Sequence, residues 1–476
     1  LARFSNVIDG RLISDAPIGS LRASEWSVLD TLRGLISAPS LQKLSINGDN
    51  CAGLEGNFNA DLDLSGDDNL RTLSNAKIRG GVLSSTWDIT GDIGNIKVSG
   101  GSSGWQMTVI GEASNFKLDR LKDTMIAVSG PAKNAKVVDW IGGGFSAREM
   151  KNLTITGRNS DNIDGDLSAD ITVGVPGIED AMRTLRVNGD ASDLELSFDG
   201  NVRTLDIRGR LTNANLVSIN DIQSLSFGEI RNSDINVMGI SRSLQFIDWI
   251  GGTLFGFRYD SIVATGDQST STPGNFFADV DASSAGSMTL DRGGSFVGSF
   301  EMNFIDDFRV TGEVRDSFFV FTANPNGRPM TIGHFDVTER IINTDIRSAG
   351  NVERLTAASM INSSLYVGMP EGTNGLPDSN PNVNPNIFIE SVVIGSLGTG
   401  QFEFVNSYIV APRIDSAMIF YPDPANLGLP HGLAANTIGF VETRILSGGR
   451  QRATNPGASL EPIGDYQVRV GFLPPA

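Results

Sequence analysis

Closely spaced carboxylates are the first residues in this sequence with chemistry to offer. Asp61-Leu-Asp63-Leu-Ser-Gly-Asp67-Asp68 brings four of them into eight positions, and Asp161, Asp164, Asp166 and Asp170 form a second cluster. Hard cations such as calcium take up clustered carboxylate oxygens, so these eight aspartates are the candidate calcium ligands. Asp279 and Asp281 make a poorer third group. None follows the twelve-residue loop of an EF-hand or the Gly-Gly-x-Gly-x-Asp calcium repeat. The competing reading is a solvated outer strand face that ends in an Asx turn. Sugar cleavage also uses carboxyl pairs, set about 5 to 9.5 Å apart. Asp61 and Asp63 are close enough on one strand, but their pattern recurs along the chain, which suits structure better than a single active site. No catalytic residue is assigned, and no cofactor other than calcium is called for.

Other reactive types are scarce. One cysteine, Cys51, excludes a disulfide framework and a zinc cluster. Two histidines, His334 and His431, nearly exclude multi-histidine metal sites, and neither has a nucleophile or metal partner near it in sequence. Trp140 and Trp249 each stand in Asp-Trp-Ile-Gly-Gly. Their rings suit sugar stacking, but the adjoining Gly-Gly favours a corner that the ring fills. Gly142-Gly-Gly144 lacks the Lys-Ser/Thr of a phosphate loop. The 476 residues carry a formal charge of -18, which disfavours nucleic acid and anionic lipid as partners. No apolar run approaches the roughly 20 residues of a membrane span.

The strings between these residues alternate apolar and polar, the strand period. Leu185, Leu205, Leu225 and Leu244 each open such a string, 19 or 20 residues apart. Two or three short strands cannot bury their apolar face alone, so coils of about 20–22 residues must stack in parallel, about 4.8 Å apart. The four leucines are expected to form one internal ladder, with Gly and Asn at the corners. A longer period overlies this one. Leu44-Ser-Ile-Asn-Gly48 returns as Leu153-Thr-Ile-Thr-Gly157, and Asp139-Trp-Ile-Gly-Gly143 as Asp248-Trp-Ile-Gly-Gly252, each 109 residues on.

The expected fold is all-β: an elongated parallel β-helix, or β-solenoid, of about 18 to 20 coils with a 109-residue super-repeat. The alternative is a string of Ig-like sandwiches of that length. Residues 1–369 form the repeat array, with super-repeats at about 32–140, 141–249 and 250–358. A Pro- and Asn-rich insertion, which suits a protruding loop, covers 370–386. Residues 387–476 hold the C-terminal coils, an irregular loop at 421–433 and a terminal strand.

In its repeats the chain resembles the parallel β-helix proteins of bacterial and phage surfaces. That resemblance implies an extracellular or cell-surface location. It implies a structural component of a surface layer, sheath or filament, built by self-association with copies or sister chains. An adhesin or tailspike-like glycan-binding protein is the alternative, and a polysaccharide lyase or hydrolase the lesser one. The chain is expected not to be an enzyme.

Overall fold

The computed structural model describes residues 1–29, 34–66, 71–322, 330–377, 383–396 and 400–471. The chain is 65% strand and 1% helix, and its parallel strands stack into a β-solenoid of about 19 turns. Parallel pairing of successive turns excludes the tandem sandwiches, whose sheets are antiparallel. The chain divides into two compact units, Leu1–Gly239 and Ile240–Ala476.

In the first unit a turn holds two longer strands and a short one, as in Asn201–Ile207, Leu211–Thr212 and Asn215–Ser218. The strands lie in register on their counterparts one turn later, apart from a bulge at Asp180–Met182. Alternation then decides which side chains point inward. Leu62, Trp87 and Met107 form one inner column. Leu153, Leu185, Leu205 and Leu225 form another, and all four are fully buried. The expected ladder thus holds for Leu185, Leu205 and Leu225. Leu244 belongs to the second unit, where it is also buried and pairs with Ile262.

Two inner columns likewise run through the second unit. One passes through Met288, Phe308, Phe335, Leu355 and Val392, with the rings of Phe308 and Phe335 stacked at 4.5 Å. The other passes through Val280, Phe300, Phe319, Ile346 and Leu365.

The corners need left-handed backbone, which short polar side chains tolerate. Asp193, Asn213 and Asn232 supply it in the first unit, with φ of 52°, 50° and 48°. Asp316, Asn343, Asn362 and Asn406 supply it in the second, with φ of 48°, 49°, 50° and 42°. Side-chain amides join the second set at 2.9, 3.3 and 3.1 Å. The residue after each of those four is a buried hydroxyl: Ser317, Thr344, Ser363 and Ser407. Each donates to the carbonyl two residues back, at 2.6 to 2.8 Å. Burying these hydroxyls would be costly if they were unpaired, so the pairing is what admits them to the core.

The last turns close differently. Arg450–Thr454 pairs antiparallel with His431–Arg444. His431 itself is fully buried, stacked on Phe404 at 5.9 Å and edge-on to Tyr466 at 5.8 Å. Burial holds its imidazole below the ordinary value, against the opposing pull of Asp423 and Asp465.

Two outcomes are expected. Leu205→Ala should cost about 2–5 kcal/mol in denaturant unfolding; a loss of under about 1 kcal/mol would deny that the leucine packs in a ladder. His431 takes a proton more readily in the unfolded chain. Its contribution is therefore intact above about pH 6.5 and is lost as the pH falls below that value. Melting temperatures between pH 7.5 and 5 should fall for the wild type and fall less for His431→Phe.

Candidate functional site

Three of the aspartates that suggested calcium, Asp61, Asp166 and Asp170, are engaged with backbone. Asp139 Oδ1 accepts the N–H of Asp166 at 2.8 Å, Asp166 that of Asp190 at 2.8 Å, and Asp190 that of Arg210 at 2.7 Å. Asp170 accepts from Glu195 N–H at 2.9 Å and Asp61 from Thr86 N–H at 2.8 Å. Each carboxylate therefore caps an amide one turn further along. Asp161 instead pairs with Arg158 at 2.7 Å. That bond and one from the Ser160 hydroxyl hold its carboxyl below the ordinary range. Asp63 is exposed and in register with Asp88, and Asp164 is exposed in its turn. Asp67 and Asp68 lie outside the described residues. Among the described residues, no three His, Cys, Asp or Glu side chains gather to hold a metal ion.

Trp140 and Trp249 offer no face to a sugar, since both are fully buried. Their indole N–H groups donate to Thr124 O at 3.3 Å and Gly251 O at 3.0 Å. The glycines that follow are required by space: Gly143 has φ of 90°, and a Cβ there would stand 2.1 Å from Thr124 O. Cys51 is exposed in the short turn Asn50–Ala52, and Ser160 sits in the matching turn Asn159–Asp161. His334 gains carboxylate neighbours that the sequence around it does not supply. Stacking sets its ring 3.9 Å from Asp307 and 3.3 Å from Glu353, on the turns before and after.

The arrangement with most to offer a ligand is an outward face of the second unit. One column there runs Phe255, Asp281, Glu301, Val320, Arg347 and Tyr366, each in register with the next. Beside it run Ser299, Phe318, Asp345 and Ser364. Phe255 and Phe318 are 44% and 46% exposed, far more than aromatic rings in a core.

The start of the 370–386 stretch does not protrude as expected. It folds down over Tyr366, because Leu376 finds burial against Tyr366, Val410 and Ala434. The Tyr366 hydroxyl accepts the N–H of Gly375 at 2.6 Å, and burial pushes its pKa up to about 12. Arg347 lies over the Tyr366 ring at 4.9 Å, pairs with Asp345 at 2.7 Å and donates to Thr373 O at 3.2 Å. Arg469 holds the carbonyls of Leu376 and Pro377, each at 3.2 Å.

Where the loop leaves the sheet it makes the wall of a cleft of about 660 Å³, lined by Phe318, Arg347, Tyr366, Met369 and Glu371. A hollow of about 320 Å³ adjoins it across Phe318 and Val320, and reaches Phe255, Asp281 and Glu301. Together they form a groove of aromatic faces and charged hydrogen-bonding groups, the mixture that seats polar organic ligands. The sequence signal for it was Phe318-Phe319-Val320-Phe321, whose alternation must leave one phenylalanine outside.

The capping role of the aspartates is testable on Asp139, whose carboxyl is pushed up by burial, with the Asp166 N–H opposing. Asp139→Asn keeps the acceptor and removes the buried charge, so stability at pH 7 should hold or rise. Asp139→Ala should lose about 1 kcal/mol. Saturating calcium should leave the wild-type melting temperature unchanged, and a clear rise would favour the cation reading of Asp61, Asp166 and Asp170.

No protein-family model, curated protein or solved structure matches the chain. Its function is therefore read from the geometry of its own residues.

Proposed function

We propose that this protein is a binding scaffold that works outside the cell and seats an extended glycan in the groove of its second unit. The observation that carries the reading is the pair of half-exposed rings, Phe255 and Phe318, beside Asp281, Glu301 and Arg347. Pyranose rings present C–H faces that pack on aromatic rings, and their hydroxyls bond to carboxylates and guanidinium groups. Rungs about 4.8 Å apart suit a chain that lies across several turns. The groove is open and repeats no acid–base pair in an enclosed site, so the proposal is binding without turnover. Self-association into a surface assembly rests on the repeat character alone, and the groove moves the reading toward recognition.

Titration of the full chain against neutral and acidic oligosaccharides tests this. Phe255→Ala with Phe318→Ala should weaken binding about tenfold or more, given roughly 0.5–1.5 kcal/mol for each ring. The double variant should keep the fold, because both rings are about half exposed and stand outside the buried columns. Absence of binding to every glycan, or equal binding by the double variant, would overturn the assignment. Release of new reducing ends would convert it to an enzyme.

A further inference from the structure

A second outward face, in the first unit, carries a feature that the groove does not use. The strings Asn75-Ala-Lys77, Asn95-Ile-Lys97, Asn115-Phe-Lys117 and Asn134-Ala-Lys136 recur at 19 or 20 residues. Stacking brings them into line. Asn75 pairs with Asn95, and Asn95 with Asn115; Lys77 pairs with Lys97, and Lys97 with Lys117. The side-chain amides join at 2.9, 2.9 and 2.8 Å through Asn95, Asn115, Asn134 and Asn152. That ladder carries the register to Asn134, so Lys136 is the fourth rung of the lysine column. Lys77, Lys97, Lys117 and Lys136 are all exposed.

Like charges stacked in register repel one another. The chain has 55 acidic residues against 37 basic ones, yet no ion pair joins Lys77, Lys97, Lys117 or Lys136 to a carboxylate among the described residues. One strand further on, the column is neutralised: Thr154 pairs with Arg186, and Arg186 is held by Asp206 at 2.9 Å. Half of the protein's eight lysines are thus kept in one uncompensated line.

We propose that this line binds a linear acidic polysaccharide, running along the stack, with about one carboxylate or sulfate per sugar facing each lysine. The rung spacing of about 4.8 Å sets the charge repeat that fits. The asparagine ladder alongside has spare amide hydrogens and lone pairs for sugar hydroxyls. The residues two positions on from the lysines, Arg79, Ser99, Asp119 and Val138, bring no aromatic ring on which a base could stack, which is how single-stranded nucleic acids are gripped, and the Asp119 carboxylate is already held by Arg158. This site is separate from the groove of the second unit and stands whether or not that groove binds sugar.

The test uses the full chain with polygalacturonate, its methyl ester and single-stranded oligothymidylate as probes, at 20 to 200 mM salt. The wild type should bind polygalacturonate, with affinity falling steeply as salt rises, and should bind the neutral ester at least tenfold more weakly. Lys77→Gln, Lys97→Gln and Lys117→Gln together should weaken polygalacturonate binding at least tenfold and flatten the salt dependence by about two to three log units per decade. The triple variant should melt no lower than the wild type, since repulsion has been removed. A charge-matched control, Lys122→Gln with Arg210→Gln and Arg258→Gln, should bind as the wild type does. No wild-type binding at low salt, equal loss in the control, or preference for oligothymidylate would each overturn the proposal.

Discussion

Parallel strands stacked in register place every side chain about 4.8 Å from its own counterparts in the turns before and after. A residue in this protein is therefore chosen for how it sits on its neighbours above and below, more than for its neighbours in sequence. Inside, that condition selects leucine on leucine and phenylalanine on phenylalanine, which interdigitate without polar cost. At the corners it selects asparagine, whose amide both donates and accepts, and can pass a hydrogen bond from turn to turn. Aspartate cannot stack on aspartate in this way. It solves the problem by reaching sideways to a backbone N–H on the next turn, as Asp139, Asp166 and Asp190 do.

The same condition explains what could be read from the sequence. The leucine spacing at 185, 205 and 225 is the footprint of one rung per turn, and the coil and its inner ladder follow directly. The repeated Asp-Trp-Ile-Gly-Gly correctly suggested a corner, because two glycines beside a large ring imply backbone under a side chain. The calcium reading of the aspartates did not anticipate their amide partners, because each donor lies 24 or more residues away for Asp61, Asp166 and Asp170. The carboxylates beside His334 are equally hidden from local sequence, since they come from adjacent turns. The groove combines residues from several turns with a loop whose path depends on Leu376 finding a buried seat. No local spacing records that. The Asn-x-Lys strings recur once per turn, and they hold four of the eight lysines.

The two outward faces differ in a way that composition alone conceals. A net charge of -18 describes the chain as a uniform polyanion, but charges on a solenoid are sorted by column. Acidic and aromatic residues share one face of the second unit, and a cationic stripe occupies one face of the first. Columns hold such groups at a fixed pitch on a stiff support, so a ligand would meet them already ordered.

The chain leaves the stack after the strand Ser364–Val367 and re-enters it at Phe388–Ile394, and both of these strands stay in register with their neighbours. The interruption shows how such a chain can change length. Extra residues placed at a corner are excluded from the columns and can number one or twenty without disturbing them. Within a strand, one added residue would turn every following side chain to the opposite face. Strands take up an odd residue only as a bulge, as at Asp180–Met182 and Val337–Arg340, while corners are free to grow. Lineages of this protein should differ by added rungs and by corner loops of any size, with single-residue changes inside strands held to such bulges.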